Sequence, residues 1–262
     1  MLNTMILCRK KTAFSELTVT EEKNVRTLWS PGGVRQTAVL RDAPWIPILE
    51  YARRSLLALA FTPRPDAALV VGLGGGAIPM MLTKARPELR VDIVEIDADM
   101  QEIAERYFGF RASSKVHVIN DSAQHFLSTA EHVYDLIILD AYLGAEPDRD
   151  VVNEESMVHL HNLLTPDGVL VANLMRRYSR AFRRTVARFG ARFCDIRLLY
   201  GNLSGNVLLF AGHRNRAIER IGRRAAKLQE RFRSPIPVTE LVDKLCRLPD
   251  TGSRKNASTN CF

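Results

Sequence analysis

Three carboxylates and one glycine loop carry the chemistry legible in this sequence. Gly72-Leu73-Gly74-Gly75-Gly76-Ala77-Ile78-Pro79 follows an apolar run, residues 68–71, and precedes a segment with helical spacing. Glycines between a strand and a helix let the chain turn sharply and let a ligand lie against main-chain N–H groups. Alone, such a loop also fits a plain tight turn. Glu95 stands 23 residues after Gly72 and closes the next apolar run, residues 91–95. An acid there accepts hydrogen bonds from the ribose hydroxyls of a nucleoside. Asp121 follows Val118-Ile119-Asn120, and Asp140 closes the run 134–140. Asp121 suits an adenine amino group, or the cap of the helix after it. Asp140 suits a cationic group or a proton to be removed, or again a cap.

Other chemistries lack their residues. No GxxxxGK[ST] phosphate loop is present. The six histidines (117, 125, 132, 159, 161 and 213) form no HExxH, and His159 and His161 are two apart on an expected helix, so they face different directions. No metal site is expected. Cysteines 8, 194, 246 and 261 show no CxxC spacing, and a reducing cytoplasm is the simpler setting.

The acids meet only if the elements bring their strand ends together. Between residues 67 and 175 apolar strands alternate with helical segments: strands at 68–71, 91–95, 116–119, 134–140 and 168–173, helices at 78–84, 98–107, 122–128 and 154–164. That alternation implies a parallel sheet covered on both faces, with right-handed crossovers. Ligands of such sheets bind outside the carboxyl ends of the strands, where the strand order reverses. Runs 193–200 and 205–211, joined through Asn202-Leu203-Ser204-Gly205, then read as an antiparallel hairpin. The expected fold is α/β, Rossmann-like, with a seven-stranded mixed sheet.

Residues 14–20, 24–29 and 34–40 are short β-rich runs separated by turn residues, a small sheet or hairpin. A helix is expected over 45–60. In the tail, Ile218, Ile221, Ala225, Leu228 and Phe232 mark an amphipathic helix packed on the domain, and Thr239 suits the N-cap of a second. The division expected is 1–44, the N-terminal strands; 45–212, the nucleoside-binding domain; 213–249, packed helices; and 250–262, a disordered tail.

Composition agrees with a globular protein. Of 262 residues, 46% are hydrophobic and 25% charged. No apolar run approaches the roughly 20 residues that cross a bilayer, and no membrane association or export is expected. The net charge of +8 is uneven. Residues 1–212 hold 25 Lys and Arg against 24 Asp and Glu, and residues 213–262 hold 12 against 5. A basic helix with Arg176, Arg177, Arg180, Arg183, Arg184 and Arg188 leaves nucleic acid open as a partner, although a solvated face is the simpler account. The acid after the second strand fits NAD(H) or S-adenosylmethionine. A nicotinamide enzyme would need a separate catalytic domain, and the closing hairpin favours S-adenosylmethionine.

The segments LTVTEEKNVRTL, Gln36-Thr37, LEYARRSLLALAF, GLGGGAIP, VEIDADM, RYFGF, NDSAQHF, YDLIILDAY and LTPDGVLVANL together resemble the spermidine synthase-like family of class I transferases. The resemblance runs from about Leu17 to His213. It extends to the family's methyltransferase domain that modifies the N-terminus of a translation elongation factor. It implies a cofactor site of Gly72, Gly74, Gly75, Gly76, Glu95, Ile96, Asp121, Ser122 and Asp140. It makes Asp140 the residue that activates an amine and sets Gln36 and Tyr51 beside the substrate; for methyl transfer, Tyr142 is expected as a second catalytic contact. It also implies a homodimer formed through the N-terminal strands.

Two departures separate this chain from true spermidine synthases. Their glycine loop, GGGDGG, holds an acid where Gly75 stands. That acid meets the aminopropyl ammonium of decarboxylated S-adenosylmethionine and would repel the carboxylate of the intact cofactor, at about 4 kcal/mol for charges 4 Å apart near a protein surface. Their DSSDP after strand four keeps a second acid for the polyamine. Here Asp140 is followed by Ala141-Tyr142-Leu143. The favoured expectation is methyl transfer from S-adenosylmethionine to a small-molecule or protein amine. Aminopropyl transfer from the decarboxylated form, making a polyamine, is the alternative, and a non-catalytic member is the third.

Overall fold

The computed structural model describes residues 4–143, 146–147, 150–176, 179–202, 205–232 and 236–248. The tail expected to be disordered, residues 250–262, lies outside the described residues, as does Arg177.

Five strands open the chain: β1 (Met5–Lys11), β2 (Glu16–Glu22), β3 (Val25–Ser30), β4 (Val34–Leu40) and β5 (Ala43–Pro47). They form one antiparallel sheet in that order. The sequence pattern showed three of them. In β1 the apolar and basic residues of MILCRKK come in blocks, so no two-residue period marks the strand. Pairing with β2 alone holds it at the edge. Strand β5 takes the place of the expected start of a helix at residue 45. Pro47 disfavours helical geometry at Ile46 and lacks an N–H of its own. Helix α1 therefore starts only at Glu50 (Glu50–Arg54) and continues as a buried 3-10 turn, Ser55–Ala60.

The remaining elements alternate as the sequence suggests: β6 (Ala67–Val71), α2 (Ala77–Ala85), β7 (Arg90–Glu95), α3 (Ala98–Tyr107), β8 (Val116–Asn120), α4 (Ala123–Thr129) and β9 (Tyr134–Leu139). A two-residue ladder, β10 (Tyr142–Leu143) with β11 (Glu146–Pro147), precedes α5 (Glu154–Leu163), β12 (Leu164–Met175) and α6 (Ser179–Arg192). Strands β13 (Asp195–Tyr200) and β14 (Asn206–Gly212) form the hairpin, and α7 (Ile218–Phe232), α8 (Val238–Asp243) and β15 (Cys246–Arg247) follow. The main sheet has the order β15-β13-β14-β12-β9-β6-β7-β8. Strands β8, β7, β6, β9 and β12 run parallel, and β14 and β13 are antiparallel to their neighbours. The seven expected strands become eight, because the tail returns to pair Cys246 with Leu198 at the outer edge.

Alternation along the strands divides the core between two faces. From β6, Ala68 and Val70 join Met81, Ile103, Phe108 and Phe210, whereas Leu69 and Val71 join Met157, Leu160, Phe182 and Phe189. The stripe of α7 packs on the first face, with Ile221 and Ala225 fully buried. Thr239 is not the cap of α8. That helix begins at Val238, with Pro237 in the cap position two residues before Thr239, and the N–H of Val238 is satisfied by Gln229 Oε1 at 2.6 Å. A side chain from α7 does the work expected of a cap.

Candidate active site

The strand order reverses between β6 and β9, and a cavity of about 630 Å³ opens at the carboxyl ends of the strands there. Glu95, Asp121 and Asp140 all line it, with Gly72, Gly74, Ile96, Ser122, Gln36 and Tyr51. Gly75 and Gly76 do not. The Tyr142 backbone lies in β10, and its side chain is outside the described residues.

Gly72 leaves β6 with φ +99°, and a Cβ there would stand 2.6 Å from the Asp140 carbonyl oxygen. Only a glycine lets the loop pass the end of β9 so closely. The next turn is fixed by Glu95, which accepts from the Leu73 N–H at 2.8 Å and the Asp97 N–H at 2.9 Å. Burial pushes the Glu95 carboxyl above its ordinary range, and these N–H donors oppose that shift. The carboxylate thus ties the glycine loop to β7 and keeps lone pairs for a ligand.

Gly75 packs against Thr37, itself a residue of the cavity lining, and Phe108. Its N–H donates to Thr37 Oγ1 at 2.8 Å, and a Cβ there would meet Thr37 Cγ2 at 2.7 Å and the Phe108 ring at 2.9 Å. The N-terminal sheet and the end of α3 fill the space a side chain would take.

At the β8 end, Asp121 is not the helix cap. Ser122 is, accepting from the His125 N–H at 3.2 Å. Asp121 accepts from the Ser122 N–H at 2.7 Å, and its other oxygen lies 2.6 Å from His125 Nδ1.

Asp140 sits at the centre of a polar chain. Asn173 Nδ2 donates to Oδ1 at 2.8 Å, and Asn206 Nδ2 donates to Asn173 Oδ1 at 2.8 Å. Tyr51 Oη stands 3.2 Å from Asp140 Oδ2 and 3.4 Å from the Gln36 carbonyl oxygen. Desolvation pushes the Asp140 carboxyl up to about 7, against the lowering effect of Asn173 and Tyr51. A carboxyl near neutrality in a cleft is poised to exchange a proton.

Asn173, Asn206, Arg35 and Arg53 also line the cavity and were not read from the sequence. The antiparallel register of β12 on β14 brings the two asparagines together. Among the described residues no cluster of three His, Cys, Asp or Glu is placed to hold a metal ion.

Residues 55–179 match the family model of the spermine/spermidine synthase domain. A polyamine aminopropyltransferase of Vibrio vulnificus (strain CMCP6) is 35% identical over 175 residues, which are 64% of this chain and 58% of that protein. The chain thus aligns with less than two thirds of that relative's length. The eEF1A lysine and N-terminal methyltransferase of Homo sapiens is 36% identical over 125 residues, 43% of this chain and 18% of that protein. The crystal structure of human methyltransferase-like protein 13 in complex with SAH superposes with a TM-score of 0.67 at 26% identity, covering 71% of this chain and 94% of that one.

Proposed function

We propose that the chain is a spermidine synthase-like transferase on a class I methyltransferase fold and that it transfers a methyl group from S-adenosylmethionine to an amine. Gly75 carries the proposal. The place an acid would take in the glycine loop is filled by the Thr37 methyl and the Phe108 ring. No carboxylate stands there to bind an aminopropyl ammonium or to repel the carboxylate of the intact cofactor.

The cavity residues fit that cofactor. Glu95 has lone pairs for the ribose, Asp121 and Ser122 would take the adenine, and Ile96 and Met100 offer apolar contact. Gly72 and Gly74 let the ligand approach the backbone. The bound cofactor supplies an electrophilic methyl group. Asp140 takes the proton that an ammonium must lose to expose its lone pair, with its two oxygens aimed by Asn173 and Tyr51. The rest is positioning and exclusion of water.

Aminopropyl transfer is the second reading. The Vibrio vulnificus relative and the retained Asp140 favour it. The two reactions leave different nucleosides. Incubation with both cofactor forms and a pool of amines and peptides is expected to release S-adenosylhomocysteine, and D140N to abolish it. Methylthioadenosine released in its place would sink the methyltransferase proposal.

The setting proposed is a cytoplasmic homodimer. Cys8, Cys194 and Cys246 are free thiols, which suits a reducing compartment. No helix among the described residues is long and apolar enough to cross a membrane. Strand β1 offers an exposed edge with Met5 and Ile6 at the surface, which suits pairing with a second copy.

A further inference from the structure

Helix α1 carries two adjacent arginines with opposite fates. Arg54 is buried, pairs with Glu50 at 2.6 Å and donates to the Tyr200 carbonyl oxygen. Arg53 is exposed and lines the cavity, and its guanidinium has no ion pair or hydrogen bond among the described residues. Arg35 on β4 is in the same state: exposed, lining the cavity, unpaired among the described residues.

The acids that share the cavity are engaged elsewhere. Glu50 is held by Arg54 and by the Asn202 N–H. Glu95 accepts from Leu73 and Asp97, Asp121 from Ser122 with His125 against its other oxygen, and Asp140 from Asn173 and Tyr51. Among the described residues, Arg35 and Arg53 are the basic side chains of the lining, and neither has a partner. The donors to Glu95 and Asp140 are neutral, so the lining holds both signs of charge, and an anion is drawn by the two guanidinium groups locally rather than by the field of the whole cleft. A cationic group would be repelled by these two side chains. A carboxylate or phosphate would meet planar donors that match its geometry.

We propose that Arg35 and Arg53 form an anion subsite at the mouth of the cavity and that it takes an oxyanion of the carboxylate or phosphate class. The inference rests on the cavity being the cofactor site. Two sources supply such a group: the α-carboxylate of intact S-adenosylmethionine, or an acidic group on the acceptor beside its nucleophilic nitrogen.

Calorimetry on the full chain tests this, with wild type, R35Q, R53Q and the double variant. The ligands are S-adenosylmethionine, its decarboxylated form, and inorganic phosphate added to protein saturated with S-adenosylhomocysteine. Both arginines are exposed, and unchanged circular dichroism is expected. If the cofactor supplies the anion, R35Q/R53Q weakens S-adenosylmethionine about 10-fold or more and leaves the decarboxylated form within 2-fold. If the acceptor supplies it, both cofactor affinities stay unchanged, and wild type binds phosphate where the double variant does not. Unchanged cofactor affinity together with no phosphate binding by wild type overturns the subsite. Failure of wild type to bind either nucleoside overturns the cofactor reading instead. Phosphate titration of the free protein then decides the arginines alone, with binding lost in the double variant supporting them and no binding rejecting them.

Discussion

At the residue scale, Asp140 concentrates the account. Its carboxyl rises from 3.8 in a free chain to about 7 in the fold because it is desolvated at the base of the cavity. The native state therefore holds this proton more tightly than the unfolded state does. Its contribution to stability is full below about pH 4 and is lost as pH rises through 7. The loss has an upper bound of about 4 kcal/mol. Asp140→Asn removes the titration, so its melting temperature is expected to fall less than that of wild type between pH 5 and pH 8. Parallel curves for the two proteins would contradict the assignment. Proton removal by the same group predicts activity that rises with pH through about 7. Gly72 is the second such residue. Gly72→Ala is expected to cost about 1–3 kcal/mol in strain at positive φ, with more from overlap with the Asp140 carbonyl, read as a lowered urea midpoint. The three acids and the loop were legible because each closes a strand or joins one to a helix. Asn173 and Asn206 were not. Their contact depends on the register of two antiparallel strands and is invisible in a sequence separation of 33.

At the element scale, the parallel strands were legible because they are short apolar runs buried on both faces. The misreadings have local causes. Pro47 turned an apolar stretch with helical spacing into a strand end. Block patterning hid β1. The cap of α4 is one residue later than Asp121, and this gives a measurable difference. Ser122→Ala removes the side chain that accepts from the His125 N–H and is expected to destabilise by about 0.5–2 kcal/mol in chemical denaturation. No loss would mean that Asp121, already bonded to the Ser122 N–H, takes over the capping.

At the scale of the molecule, the N-terminal sheet acts as more than an appendage. It brings Gln36, Thr37 and, through the turn into α1, Tyr51 over the glycine loop, so the cavity is closed by residues far from the acids in sequence. The same sheet leaves β1 as a free edge, and the homodimer proposed through it predicts that Ile6→Lys shifts the species seen by light scattering from dimer to monomer. A wild-type monomer at micromolar concentration would dismiss the dimer. The net charge of +8 gave little guidance to the site. Its excess lies mostly in residues 213–262, whereas the acids and the two arginines that line the cavity lie in the nearly neutral body.

The central claim is that this glycine loop accepts the intact cofactor. The most direct measurement is calorimetric titration of the purified protein with S-adenosylmethionine and, separately, with its decarboxylated form, repeated for Glu95→Gln. The intact form is expected to bind at least as tightly as the decarboxylated one, and Glu95→Gln to weaken both about 10-fold or more, because the ribose contact is common to them. A decarboxylated form that binds about 10-fold tighter than the intact one would contradict the claim and place the protein with the polyamine synthases.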